Sequence, residues 1–309
     1  QRLAIYSAER LRQLNADLPL EYERSEGCLM LLRTGRDQQL AQPALQVIRD
    51  AGVAFREIDA VEARRIEPAL NADTALAGAI HLPRDEVGNC RQFAMGLKTG
   101  AELRGANFRF NTAVVRISRS SPASLYIAGE TQRRRFDALV LCAGVASASL
   151  LAPLGLTIPI APVYGYSISA QIREPLNAPF GAVLDQHCQV AITRLGQRVR
   201  VAGGAEIGGA PGHKRAASLQ TLYKVLHDWF PGAAQLSNGV QEWKGARPML
   251  PDGPPVLGTS GLPGLWLNLG HGGSGWALSC GSARVLADLI GGQAPAIDLE
   301  GLGVARLSR

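Results

Sequence analysis

Residues 265–278 read Leu-Trp-Leu-Asn-Leu-Gly-His-Gly-Gly-Ser-Gly-Trp-Ala-Leu, and no other segment limits the fold as strongly. An apolar run enters a helical pattern through a glycine-rich turn. Such a turn leaves the free N–H groups of the helix's first turn, and the positive end of its dipole, facing whatever lies at the tip. Gly270, His271, Gly272, Gly273, Ser274 and Gly275 are therefore candidates to meet a flat or anionic ligand. Gly270, Gly272 and Gly275 also satisfy G-x-G-x-x-G, so a dinucleotide fingerprint of the Rossmann type competes. That reading needs a second strand with an acidic residue about 20 positions on, whereas here the helix runs out and few residues follow. A purely structural glycine turn is the third reading.

A second segment runs Trp-Lys-Gly-Ala-Arg-Pro-Met-Leu-Pro-Asp-Gly over 243–253. Pro248 pushes Arg247 towards extended backbone, and a guanidinium matches a carboxylate bidentately. Arg247 is either a surface arginine in a proline-rich loop or a clamp for a carboxylate substrate. In the third segment, Tyr164 and Tyr166 flank Gly165. On a strand both phenols project to one face, bordering an open pocket or forming a packed sheet face.

Composition narrows the class. With 46% hydrophobic residues among 309, the chain can bury two cores. Its net charge of +6 is scattered, the longest basic run being Arg133 to Arg135, which argues for a solvated surface and against nucleic acid. Five cysteines, an odd number with no C-x-x-C, argue against structural zinc and for a reducing compartment. Residues 138–172 and 253–283 carry no charge over long stretches. Prolines interrupt the first and glycines the second, so both read as strand-turn-helix units rather than membrane spans.

Apolar spacing predicts helices over 2–14, 40–50, 91–104, 216–230 and 276–290. Strands are expected over 78–82, 108–117, 124–128, 136–142, 239–249 and 265–269. The run at 136–142 suits a strand buried on both faces, and alternation over 162–206 suggests an antiparallel sheet.

Together, Glu67-Pro-Ala-Leu, His81-Leu-Pro-Arg-Asp-Glu, Phe108-Arg-Phe-Asn-Thr, residues 136–144, Ile192-Thr-Arg, residues 245–258, residues 265–282 and the ending at 305–309 resemble the bacterial FAD-dependent D-amino acid dehydrogenases (small subunit). These belong to the wider glutathione-reductase-like group that includes glycine and sarcosine oxidases. The resemblance implies an α/β (α+β) fold with an FAD-binding domain over 78–160 and 249–309, interleaved with an antiparallel-sheet substrate domain over 1–77 and 161–248. It also implies that the first βαβ unit of the FAD domain, with its pyrophosphate and ribose contacts, is absent from the chain. By residue, it implies that Val114 meets the adenine, that Ala143 and Gly144 lie beside the ADP portion, and that Gly245 and the 270–275 turn are cofactor-binding. Arg247 then holds the substrate carboxylate, with Tyr166 and Tyr164 near the substrate.

The implied reaction is oxidative deamination of a D-amino acid to a 2-oxo acid and ammonia, with FAD as cofactor and a quinone or other carrier as electron acceptor. An oxygen-using amine or imino-acid oxidase and a non-catalytic homologue without FAD are the competing readings. The implied setting is cytoplasmic amino-acid catabolism, with peripheral contact to the inner membrane and oligomer formation left open. His271 serves either a structural hydrogen bond or acid–base work. Two departures stand out: the family often has Lys where Tyr164 stands and Asp where Asn89 stands, which leaves the local charge unsettled.

Overall fold

The computed structural model describes residues 1–119 and 123–307. The expected family ending therefore lies partly outside them, at Ser308 and Arg309. Along the chain come α1 (Arg2–Asp17), β1 (Ser25–Leu32), α2 (Gly35–Asp50), β2 (Arg56–Ile58), α3 (Ala60–Ile66), β3 (Gly78–Val87) and α4 (Cys90–Glu102). Next are β4 (Val114–Ser118), β5 (Ala123–Ile127), β6 (Arg134–Phe136), β7 (Leu139–Leu141) and α5 (Ser147–Leu151). There follow β8 (Ala161–Gln171), β9 (Ala182–Asp185), β10 (Val190–Leu195), β11 (Arg198–Ile207) and α6 (Ala216–Trp229). The chain closes with β12 (Gln241–Met249), β13 (Val256–Thr259), β14 (Leu265–Leu269) and α7 (Gly275–Ile290). No helix among the described residues is long and apolar enough to cross a membrane.

Two compact units share the chain. The first comprises Gln1–Leu20, Lys98–Val163 and Ala246–Arg309, the second Glu21–Leu97 and Tyr164–Gly245. Two boundaries differ from the sequence expectation. Residues 1–20 belong with the first unit because α1 packs on α7: Leu3 shares a core with Leu257 and Val285, and the Gly281 amide donates to Ser7 Oγ at 3.1 Å. Residues 78–97 belong with the second unit because β3 pairs antiparallel with β1 in the register Met30↔Ile80.

The second unit is built on a sheet of order β12-β8-β11-β10-β9-β1-β3-β2. The pairs β10/β11, β9/β10 and β1/β3 are antiparallel, and β1/β9 is parallel. α6 presents Leu222, Val225, Leu226 and Trp229 to it, and they join Ile192, Val201 and Phe230 in one buried cluster. β8 departs from the expected alternation: residues 164–168 are all buried. A strand with inner neighbours on both sides and side chains covered on both faces has no solvent face to alternate with.

The first unit holds a sheet of order β13-β14-β7 and a separate antiparallel sheet β4-β5-β6. β14 runs parallel to β7 in the register Leu267↔Leu141, and β13 runs antiparallel to β14. Leu141, Leu151, Val256, Leu265, Leu267 and Leu269 form the core. β7 is shorter than the expected 136–142 strand and is not buried on both faces, since Val140 is 43% exposed. It is the end strand of the sheet order, so only one of its edges is paired among the described residues. Residues 108–113 form no strand: Asn111 takes φ +53° and the strand begins at Val114.

Candidate functional site

In the first unit, β14 delivers the chain to Gly270, a short 3-10 turn covers Gly272–Ser274, and α7 begins at Gly275. Gly270 and Gly272 take φ of +77° and +54°, the left-handed region that glycine alone enters without penalty. A Cβ on Gly270 would run into the Leu250 side chain, and one on Gly272 into the Met249 sulfur. Gly273 takes no left-handed angle, and a Cβ there would meet Arg247 Cδ at an ordinary 3.7 Å. The constraint that makes the turn therefore falls on its neighbours. Gly273 and Ser274 are exposed at the tip, and the helix start leaves backbone donors there.

The same contact brings Arg247, at the end of β12, beside the glycine turn. Within this unit the two sequence-predicted elements converge. They border a cavity of about 290 Å³ whose lining includes Gly144, Pro248, Asn268, His271, Gly275 and Ser282. Asn268 Oδ1 is buried without a hydrogen-bond partner. Burial pushes the His271 imidazole below its ordinary value, so it is neutral at pH 7, and its Nε2 lies 2.9 Å from Ser282 Oγ. That partner fits the structural reading of His271.

Ala143 and Gly144 follow β7, and Gly144 takes φ +56° at the start of a short turn leading to α5. Val114 is not among the residues lining this cavity. It opens β4 in the separate sheet, pairs with Ile127 and is 36% exposed.

Tyr164, Tyr166 and Gly245 fall in the second unit. Both phenols are buried, at 7% and 2% exposure, so they do not border an open pocket. Tyr166 OH donates to Glu206 Oε2 and accepts from the Arg215 amide at 3.3 Å. Lys244 Nζ sits 3.0 Å from Glu206 Oε2 and 4.3 Å above the Tyr164 ring. The hydrogen bond from Tyr166, together with Lys244, holds the Glu206 carboxyl below its usual range. Burial opposes the Lys244 charge, but its bonds to Glu206 and Tyr166 outweigh that and raise the ammonium.

The two positions expected from the resemblance to differ have defined local surroundings. Over the Tyr164 ring, β12, the neighbour of β8, places Lys244. Asn89 Oδ1 accepts from the Gln92 amide at 3.3 Å while its Nδ2 donates to Glu23 at 2.8 Å. An aspartate there would set a second carboxylate against Glu23.

Sequence reasoning missed Lys244, Glu206, Asn268 and Ser282. Lys244 and Asn268 lie inside the segments singled out, but their roles depend on partners distant in sequence. Glu206 carries no local signal.

A family model described as FAD dependent oxidoreductase matches residues 1–289. A D-amino acid dehydrogenase of Cereibacter sphaeroides is 42% identical over 309 residues, 99% of this chain and 70% of that protein. One of Bradyrhizobium diazoefficiens is 40% identical over 306 residues, 98% and 72% of the two chains. The solved structure of glycine oxidase from Geobacillus kaustophilus superposes with a TM-score of 0.88 at 25% identity, covering 98% of this chain and 82% of the other.

Proposed function

Because the chain belongs to the family of FAD-dependent oxidoreductases, we propose that it oxidises D-amino acids to 2-oxo acids and ammonia and passes the electrons to a quinone or another carrier. The observation that carries this reading is the approach of Arg247 to Gly273 on the turn that opens α7. A guanidinium there can hold the substrate carboxylate beside the ring system that the turn faces.

The residues of the first unit suit the flavin. The turn offers backbone donors at a positive helix end, Asn268 Oδ1 offers an unused acceptor, and Gly144 leaves room beside the ring system. When bound, FAD supplies the acceptor for the hydride that leaves the substrate's Cα. Arg247 orients the carboxylate by a charge-assisted pair of hydrogen bonds, so that the α-hydrogen faces one direction. Tyr166, fixed by Glu206 and the Arg215 amide, and Tyr164 are buried in this structure and would meet the substrate's side chain once uncovered. No imidazole is needed as base when the amine enters neutral, and His271, engaged with Ser282, stays a scaffold. Water then hydrolyses the imino acid to the 2-oxo acid and ammonia.

The D-amino acid dehydrogenases among the relatives support the substrate class. The test is a dye-linked assay of the FAD-loaded protein with D- and L-isomers, with and without oxygen. Reduction of the dye by several D-amino acids and by none of their L-isomers is the expected result. Oxygen consumption without dye reduction would favour an oxidase instead. In the same assay Arg247→Ala is expected to raise KM about 10- to 150-fold, the loss of one charge-assisted contact of about 1.5 to 3 kcal/mol. Unchanged KM for every substrate would remove Arg247 from the site.

A further inference from the structure

The phenols of Tyr164 and Tyr166 are buried, yet the proposed function has them beside a substrate. Something must uncover them. Lys244, with a side chain only 4% exposed, lies over both rings, 4.3 Å from the Tyr164 centroid and 5.5 Å from that of Tyr166. An ammonium has three N–H bonds to give. One goes to Glu206 Oε2 at 3.0 Å, and the other two go to backbone carbonyls, Ala210 O at 3.1 Å and His213 O at 2.7 Å.

Those carbonyls belong to the connection between β11 and α6, which reads Gly-Gly-Ala-Pro-Gly-His-Lys over 208–214. Gly208 and Gly212 take φ of +75° and +81°, and residues 210–217 are exposed. Exposed backbone of this kind, with left-handed glycines near both ends, gains little order from packing. Its ties to the sheet are polar: the two bonds from Lys244, the bond from the Arg215 amide to Tyr166 OH, and Lys214 Nζ to Glu242 O at 2.8 Å.

A buried ion pair is a weak stabiliser, and an apolar pair of the same volume would serve the sheet as well or better. The Lys244–Glu206 pair therefore calls for a role beyond stability. We infer that residues 208–214 are a lid over Tyr164 and Tyr166, that Lys244 is the latch holding it closed, and that this latch governs which amino-acid side chains reach the two phenols. Lys244 is a positioning residue in this scheme: it acts through the lid and the tyrosines. The inference rests on the reading that Tyr164 and Tyr166 border the substrate, and it deepens that reading by naming what controls access.

Lys244→Met in the FAD-loaded protein tests it in two arms. Trypsin cleaves after Lys214, the last residue of the latched segment, and after Arg215 beside it. Removing the two carbonyl ties is expected to speed that cleavage about tenfold or more through local opening, with Lys244→Arg restoring much of the protection. In the kinetic arm, the ratio of KM for D-phenylalanine to KM for D-alanine is expected to shift about fivefold or more while kcat for D-alanine changes less than about twofold, the pattern of altered access rather than altered chemistry. Unchanged cleavage overturns the latch. Faster cleavage with an unchanged KM ratio reduces Lys244 to a structural strap and overturns control of access. A wild-type protein that oxidises no D-amino acid removes the proposed function, yet the trypsin arm still decides the latch. Should Lys244→Met not fold, hydrogen exchange of the unaltered holoenzyme decides. Amides of 208–214 are expected to slow when pyruvate fills the site, and exchange unaffected by saturating pyruvate overturns the lid.

Discussion

At the scale of single residues, the glycine turn makes a discrimination that its sequence alone obscures. Gly270, Gly272, Gly273 and Gly275 look interchangeable in a pattern, yet only Gly270 and Gly272 hold left-handed backbone. Gly272→Ala is expected to destabilise the turn by about 1 to 3 kcal/mol, since it adds backbone strain and a collision with the Met249 sulfur. Gly273→Ala, with ordinary φ and a 3.7 Å contact to Arg247 Cδ, is expected to keep the wild-type melting temperature and to show its effect in substrate KM. Thermal denaturation of the two variants checks this, and equal melting temperatures would show that the strain is not where the backbone angles put it.

His271 carries a second expectation at this scale. Its imidazole is pushed below the ordinary 6.5 by burial, so below that pH the unfolded chain binds a proton that the folded one refuses. Unfolding then takes up protons, and stability falls as pH drops through 6.5 towards the depressed folded value. His271→Asn is expected to flatten that part of the pH profile in urea denaturation. A variant as acid-sensitive as the wild type would place the titration elsewhere, and His81, also lowered by burial, is the next group to examine.

At the scale of elements, the second unit is pinned where β9, α6 and the end of β1 meet. Asp185, fully buried, accepts from Arg33 Nε at 2.7 Å, from Trp229 Nε1 at 2.7 Å and from the Cys188 amide at 2.9 Å. Asp228 takes a further bond from Arg33 at 3.0 Å. Asp185→Asn keeps the shape but leaves the Arg33 guanidinium, 17% exposed, with half its counter-charge. Breaking a buried pair from one side is expected to cost about 3 kcal/mol or more, read as a lower denaturant midpoint with an unchanged slope. A shift under about 0.5 kcal/mol would mean that Asp228 alone suffices for Arg33.

What was legible at this scale follows from how local each signal is. α1, α6 and α7 repeat apolar residues at helical spacing over 16, 14 and 16 residues, and each lies within about three residues of where the spacing puts its ends. α2 starts at Gly35, earlier than the apolar pattern, because Thr34 and Asp37 form a reciprocal capping box at its start. β1 escaped detection because its buried residues, Leu29, Leu31 and Leu32, do not alternate strictly and no turn signal brackets them cleanly. β7 was overextended since apolar composition says nothing about which edge goes unpaired. The glycine turn and Arg247 were legible because each site is one continuous segment. The Lys244–Glu206–Tyr166 cluster was not, because three neighbouring strands bring it together.

At the scale of the whole molecule, the question is how much of the cofactor these 309 residues can hold. The cavity beside the start of α7 has about 290 Å³ and is largely open to solvent. The groups that line it, the helix start, Asn268 and Gly144, suit a flat ring system. Val114, expected at the adenine, lies outside that lining on a separate sheet. The polypeptide by itself is therefore expected to bind riboflavin and FAD with affinities within about tenfold of each other, because an adenylate end held by even two charge-assisted bonds of about 1.5 to 3 kcal/mol each would separate them by a hundredfold or more. It should also associate with itself at high concentration, since Val140 on the end strand β7, with Phe136 nearby in the chain, leaves apolar side chains exposed. Fluorescence titration with the two flavins is the direct measurement. A preference for FAD above about a hundredfold would require contacts worth about 2.7 kcal/mol or more to the adenylate end, and would support Val114 and Ala143 as part of a nucleotide site.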